Sequence, residues 1–399
     1  MSKFFAPLIR VLSSYGLVCV VILLLFVLTL LGTVAQIDLG LHEAQKRYFD
    51  SFFLWQPLFS IGSLGVGLPL PGGQTLLWIL FANLLVGGLI RIRKRRATAG
   101  IIITHIGIAV LLLAGFVKYY HSYEGHLTLY EGERCDEFES YYEYEIALTR
   151  DLGNGQIREY LIPGEQFVGM DRGSSLRFTN PDLPFDLTLR HFMRNGSPLP
   201  KGPMFSVNVP VVDGFYLRER APAKDAELNT SCAYAELEEK GSGAVQMGLL
   251  VGRALSPSTT ASNPWVTEVA GQTWAIDLRH RRFPLPFTIH LDDFTAKFHP
   301  RTGTASSYES EVTMIDGDVV QPLVIRMNEP LRDGGHVLFQ SSYGPQGARP
   351  GDPMYSVFSV VKNPSDQWPL ASCVIIALGL LIHFVSKLWR YILSQARRA

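Results

Sequence analysis

The sequence predicts a polytopic membrane protein: four transmembrane α-helices plus a large β-rich extracytoplasmic domain between helices 3 and 4. Three observations carry that prediction. The 399 residues are 47% hydrophobic and their mean hydropathy is +0.14, more apolar than most soluble chains of this size. Four apolar segments, 12–34, 76–90, 101–117 and 370–385, contain no acidic residue. The long stretch between the third and fourth is rich in short alternating runs separated by turn residues.

The first segment is long enough to span hydrocarbon unaided. The other three sit near the lower limit of about 17 residues and draw on their flanks to reach the headgroups. Trp78, Trp368 and Trp389 lie at or near such boundaries, as interfacial aromatics do. The shorter three also suit buried core helices of a globular protein, but charge placement argues against that. Lys3 and Arg10 precede the first segment, Arg91, Arg93, Lys94, Arg95 and Arg96 separate the second from the third, and Lys387, Arg390, Arg397 and Arg398 follow the fourth. Those pieces hold eleven basic residues and no acidic ones, so all 36 Asp and Glu fall in residues 35–75 and 118–369. By the positive-inside rule the basic pieces are cytoplasmic and the acidic ones lie outside. The basic run at 91–96 is then a topology signal that meets membrane lipid, and no nucleic-acid partner is expected.

The expected organisation follows: 1–35, cytoplasmic N-terminus and helix 1; 36–75, an extracytoplasmic loop; 76–118, helices 2 and 3 with a basic cytoplasmic turn; 119–368, the β-rich domain; 369–399, helix 4 and a basic cytoplasmic tail. Thr33-Val34-Ala35 offers a small-x-small cleavage pattern, but the apolar stretch before it is at or beyond the upper end for a signal peptide, and an uncleaved helix is expected. With no transit-like start, the expected location is a bacterial inner membrane, the large domain periplasmic.

In the domain, "HLTLYEG", "YEYEIALTR", "FDLTLRHF", "FSVNVPVV", "WVTEVAG", "FTIHLDDF" and "YESEVTMI" read as strands, and "DLGNG", "RNGSPLPKGP", "EKGSG" and "IDGD" as turns. Residues 222–243 show no clear period and read as a loop or short helix. The roughly 250 residues suit one or two packed cores.

Chemistry-bearing motifs are few. Of four cysteines, Cys19 and Cys373 fall inside predicted spans, and only Cys135 and Cys232 face an oxidising compartment. There is no C-x-x-C, G-x-S-x-G, Walker A loop or H-E-x-x-H. His121 and His126 are five apart, a spacing that suits neither one helix face nor one strand face for a metal pair. His280, His290, His299 and His336 are scattered through strand-like text. That leaves His105 and His383, both inside apolar segments. An imidazole in hydrocarbon must hydrogen-bond, pair or coordinate. One reading is an interhelical hydrogen bond to Thr104 or to a backbone carbonyl of another span. The other is axial ligation of haem iron, which a neutral imidazole performs without bringing net charge into the bilayer.

Several passages resemble the ResB/CcsB family, the smaller membrane component of system II cytochrome c maturation: "LGTVAQ", "HIGIAVLLLAG", "YEGHLTLYEGE", "LPFTIHLDDF", "SSYESEV", "MNEPLRDGGHVLFQSSYGP" and "SVVKNPSDQWPLAS". The likeness is most specific at "NEPL…G…FQSSY". It implies a complex with a larger CcsA/ResC-type membrane protein, haem b carried transiently across the membrane, and attachment to the C-x-x-C-H motif of an apocytochrome c. A periplasmic thiol-reducing protein fits as a further partner. The resemblance makes His105 the haem-iron ligand, the second axial ligand coming from the partner, with His383 as the alternative cofactor-binding histidine. The six tryptophans, at 55, 78, 265, 274, 368 and 389, are too scattered to form the tryptophan-rich haem-handling segment of fused versions. The attachment chemistry is therefore expected on the partner and this chain is read as an accessory subunit. The rival reading is a structural scaffold that stabilises the partner without touching haem.

Overall fold

A computed structural model describes residues 6–397 apart from 62–63, 154, 172, 203–205, 253–263, 301–304 and 346–351. Lys3, Arg398, Phe205 and Asn154 lie outside the described residues. The chain divides into two units, Met1–Ser122 with Asn363–Ala399, and Tyr123–Lys362.

The first unit is helical. After a short α1 (Ala6–Leu12) come α2 (Tyr15–Leu39) and α3 (Leu41–Tyr48), then a hairpin of β1 (Phe53–Ile61) and β2 (Leu64–Pro71). Next are α4 (Gly73–Asn83), running into a π-helical turn at Leu84–Ile90, and α5 (Ala99–His121); α6 (Trp368–Ala396) closes the chain. Four helical segments are long and apolar enough to cross a membrane: Tyr15–Leu39, Gly73–Ile90, Arg96–His121 and Trp368–Ala396. They contain the segments 76–90, 101–117 and 370–385 read from the sequence and overlap the first, 12–34, from Tyr15 onward, with α2 continuing to Leu39. The protein is a multi-pass membrane protein. Only 11–28% of each apolar window is buried inside the protein, so most of that surface needs lipid or another chain to cover it.

Small residues set the packing of α5 on α6. A Cβ placed on Gly100 would lie 2.6 Å from the Gly379 carbonyl oxygen and from the His383 amide nitrogen; one on Gly379 would lie 2.5 Å from Thr104 Oγ1; one on Gly107 would lie 3.1 Å from the Ser372 carbonyl oxygen. Backbones this close gain dispersion contacts that larger side chains would prevent, the usual basis of helix association in lipid. At the other end of α5, Phe116 stacks on Trp78 of α4 with centroids 3.9 Å apart. Asn83, where α4 ends, donates to the carbonyls of Leu12 (2.7 Å) and Ser14 (3.2 Å), satisfying backbone left open at the α1–α2 junction.

Among the described residues the second unit is β-structure in three sheets. Its strands are β3 (Tyr123–Tyr130), β4 (Arg134–Gly153), β5 (Gln156–Pro163), β6 (Ser175–Phe178), β7 (Phe185–Met193), β8 (Gly196–Pro200), β9 (Phe215–Glu219), β10 (Cys232–Glu239), β11 (Val245–Val251) and β12 (Trp265–Val269). There follow β13 (Gln272–Phe298), β14 (Ala305–Asp316), β15 (Val319–Arg326), β16 (Leu331–Asp333), β17 (His336–Gly344) and β18 (Tyr355–Lys362). The largest sheet runs β15-β14-β13-β4-β3-β18-β17-β16, with β12 on β13 and β5 on β4; a second runs β11-β10-β7-β6, and β8 pairs with β9.

The long strands β4 and β13 serve two cores. Ile146, Leu148, Trp274, Ile276 and Leu278 pack with Phe185, Leu187 and Leu189 of β7 in one. Phe138, Phe287, Ile289 and Leu291 pack with Leu338 and Phe358 in the other. Most predicted strands are present, with three differences. "FSVNVPVV" is not a strand: Ser206–Val211 is irregular, and only Val212 bridges, to Phe215. Pro210 cannot donate to a ladder, which weakens a strand there despite its valines. "RNGSPLPKGP", read as a turn, contains β8. Residues 222–243, read as a loop or short helix, hold a loop with a short helical turn at Ala226–Leu228 and then β10, whose Ala233, Ala235 and Leu237 are fully buried; alanine and glutamate hide a strand from propensity, and burial between β7 and β11 overrides it.

The signature "NEPL…FQSSY" turns out to be structural. Ser310 of β14 donates to Gln340 Oε1 of β17 at 2.7 Å, and Gln340 Nε2 donates to Ser356 Oγ of β18 at 2.7 Å. All three side chains are buried, and a buried polar network is tolerated because its members satisfy one another.

Candidate functional site

The site grows from a glycine pair. Gly87 and Gly88 lie in the π-helical turn that ends the second span, and π-turns leave local carbonyls off the regular α-helical pattern. The missing side chain of Gly87 lets Ser13 come within 3.3 Å of where its Cβ would be; at Gly88 the same space admits the ring of His105, with Nδ1 3.2 Å from the absent Cβ. His105 Nδ1 lies 3.2 Å from the Gly88 carbonyl oxygen. A carbonyl only accepts, so Nδ1 carries the proton, and in the neutral ring Nε2 keeps its lone pair. Nε2 has no hydrogen-bond partner among the described residues.

His105 is half-buried and sits about 9 Å along α5 from its start at Ala99, at ~1.5 Å per residue. Thr104 is not its partner, for that hydroxyl donates to the Gly100 carbonyl in its own helix at 3.0 Å. The interhelical hydrogen bond expected as one reading is therefore made, by Nδ1 to a carbonyl of another span. The second nitrogen keeps an uncommitted lone pair, and fixing one imidazole nitrogen on a backbone carbonyl is how protein scaffolds orient metal-binding histidines.

His383 occupies a different place. Its backbone packs against Gly100, and its buried Nδ1 has no hydrogen-bond partner among the described residues. Gly100 and His105 are five residues apart on α5, which separates them by about 140° around the axis. The two histidines thus serve opposite sides of α5 and do not form a facing pair. Among the described residues no group of three or more His, Cys, Asp or Glu side chains is arranged to hold a metal ion. His126 is instead a buried strand residue 3.8 Å from Glu139. Cys135 and Cys232 are both free thiols, the first beside one core cluster and the second inside another.

Sequence reading missed Gly88, whose only trace is the "VGG" at the end of an apolar run. It also missed His191, a histidine in a strand that the structure places on the wall of a cavity in the β-domain.

Residues 247–352 match the model of the ResB-like family. Over that stretch the chain is similar to the ResB-like family. It is also 23% identical over 391 residues to Protein NrfI of Wolinella succinogenes, an alignment covering 96% of this chain and 36% of NrfI. The chain thus spans about a third of the length of that relative. The family match runs from β11 to just before β18 and takes in the Ser310–Gln340 half of the buried network. His105, His383 and His191 all lie outside it, so their roles rest on geometry.

Proposed function

We propose that this chain serves cytochrome c biogenesis by holding haem in the membrane for a CcsA/ResC-type partner, which attaches it outside to apocytochrome c. The observation that carries the reading is the Nδ1-protonated His105 with an uncommitted Nε2 inside an apolar span. Haem is cargo here. Neutral imidazole is a common axial ligand of its iron, and the Gly88 carbonyl fixes the ring's tautomer and orientation. On this reading the second axial ligand comes from the partner. The two readings of a membrane histidine merge, because the hydrogen bond and the ligation use different nitrogens. On the same reading the basic pieces face the cytoplasm of a bacterial inner membrane and the β-domain the periplasm.

The test is an absorption spectrum of the purified complex of this chain with its partner, wild type against His105→Ala at matched protein levels. Loss of most of the haem absorbance, restored by added imidazole, is the expected result. Gly88→Ala, whose methyl would press on the His105 ring, is expected to lower occupancy or shift the Soret band while leaving protein level unchanged. Haem unchanged in both variants would favour the scaffold role instead.

A further inference from the structure

The β-domain contains a cavity of about 650 Å³, within the size range of small-molecule and cofactor pockets. It is lined by the end of β7 and the loop after it (191–195), by β9 and by residues 207–209. Val168, Met170, Phe192 and Leu217 give it an apolar part, beside polar Asn195, Asn208 and Glu219. β9 is tied down there by the Leu217 amide, which donates to the hydroxyl of buried Tyr234 at 2.8 Å. On the rim stand Arg218 and Arg220, both exposed and neither in an ion pair among the described residues.

His191 lines the same cavity, and the backbone is bent to put it there. Met193 pairs with Cys232 and Arg190 with Tyr234, so His191 and Phe192 together oppose the single residue Ala233 in a β-bulge. Bulges of this kind re-aim side chains and gather near functional sites. His191 also has a φ of 51°, one of three non-glycine residues with positive φ among those described. A left-handed histidine is uncommon, and such strain persists where surrounding structure imposes it. Its ring makes no hydrogen bond among the described residues and packs edge-on to Tyr234, centroids 6.1 Å apart. Cys232, beneath the cavity, is no rival donor: burial pushes its thiol up to about 12, and a protonated buried thiol is inert.

An imidazole on the wall, two unpaired guanidinium groups on the rim and an apolar part of the lining select a ligand with three matching features. It has a flat apolar body, carboxylates at one edge and a metal that accepts nitrogen. We propose that this cavity is a second haem site, with His191 as iron ligand and Arg218 and Arg220 on the propionates. The inference rests on the reading that the chain handles haem, and it adds a station for that cargo outside the helical unit. A small inorganic anion would leave the apolar part unused, and a fatty acid would leave His191 unused.

The experiment is a hemin titration of the full chain in detergent, followed by the Soret band, in four forms: wild type, His105→Ala, His191→Asn and the double variant. Asparagine tolerates the left-handed backbone, so His191→Asn removes the imidazole without forcing the bulge to refold, and circular dichroism checks this. Two equivalents in wild type, one in each single variant and none in the double variant are expected. Arg218→Ala with Arg220→Ala in the His105→Ala background should weaken the remaining site about tenfold or more. A second equivalent that survives His191→Asn with an unchanged Soret band would overturn the cavity site, as would failure of His105→Ala to take up any haem. Two equivalents in His105→Ala with one in His191→Asn would sink the membrane site alone and uphold the cavity.

Discussion

Single residues in this chain act through which of their two nitrogens is committed. His105 and His336 both place Nδ1 near a glycine carbonyl, at 3.2 Å from Gly88 and 3.0 Å from Gly334. Their environments then diverge. His336 is buried among Tyr123, Phe138 and Phe287, and its Nε2 has no partner among the described residues. Burial, aided by the charge of Lys362, pulls its pKa below the ordinary 6.5, against the opposing effect of the Gly334 bond. The unfolded imidazole therefore binds a proton at a higher pH than the folded one. Across that window stability rises with pH, and this contribution is lost as pH falls from about 6.5 through the lowered folded value. Thermal unfolding of the purified protein at pH 5 and pH 7.5 should show the difference, and His336→Leu should shrink it. An undiminished difference in that variant would assign the pH dependence to other groups.

Among the elements, the α5–α6 pair and the β10 strand show opposite relations between sequence and structure. Gly100, Thr104 and Gly107 on one helix and Ser372 and Gly379 on the other form small-residue faces whose spacing is visible in the sequence once the helices are known. Gly379→Leu would force a side chain into space where even a Cβ lies 2.8 Å from the Gly100 carbonyl oxygen. Overpacking of this kind costs about 1–3 kcal/mol, so a lower melting temperature in detergent and reduced accumulation in membranes are expected. A melting temperature equal to wild type would mean that the helices are not held at this distance. β10 is the reverse case. Its composition does not announce a strand, and only the neighbours on both sides make it one. The bulge in β7 is hidden in the same way, since "TLRHFM" reads as plain alternation until its partner is one residue short.

At the scale of the whole molecule, charge decides orientation and hydrophobic length decides how many times the chain crosses. Eleven basic and no acidic residues flank the spans on one side, each costly to translocate. A cysteine introduced at Arg93, in a Cys19→Ser/Cys135→Ser/Cys373→Ser background that removes the exposed and partly exposed thiols, should be labelled by a membrane-impermeant thiol reagent only after the cells are opened. One introduced at exposed Asp318 should be labelled in intact spheroplasts. Labelling in the reverse pattern would invert the proposed topology.

Four spans, a β-rich insert and His105 as a candidate were legible because they depend on local and additive properties: length, hydropathy, charge count and the rarity of an imidazole in hydrocarbon. The carbonyl that fixes His105 was not legible. It comes from a π-turn seventeen residues away, and nothing in "VGG" specifies which ring will fill the space that two glycines leave. The cavity was still less so, since His191, Met170, Arg218 and Arg220 come to line one cavity only after β7 bulges and β9 packs on β10. The amino-acid sequence by itself determined how this chain meets a membrane, because transfer free energy sums along the chain. Only the tertiary structure decided which nitrogen stays free and which side chains share a cavity, because hydrogen bonds and pockets depend on directions that segments acquire when they pack.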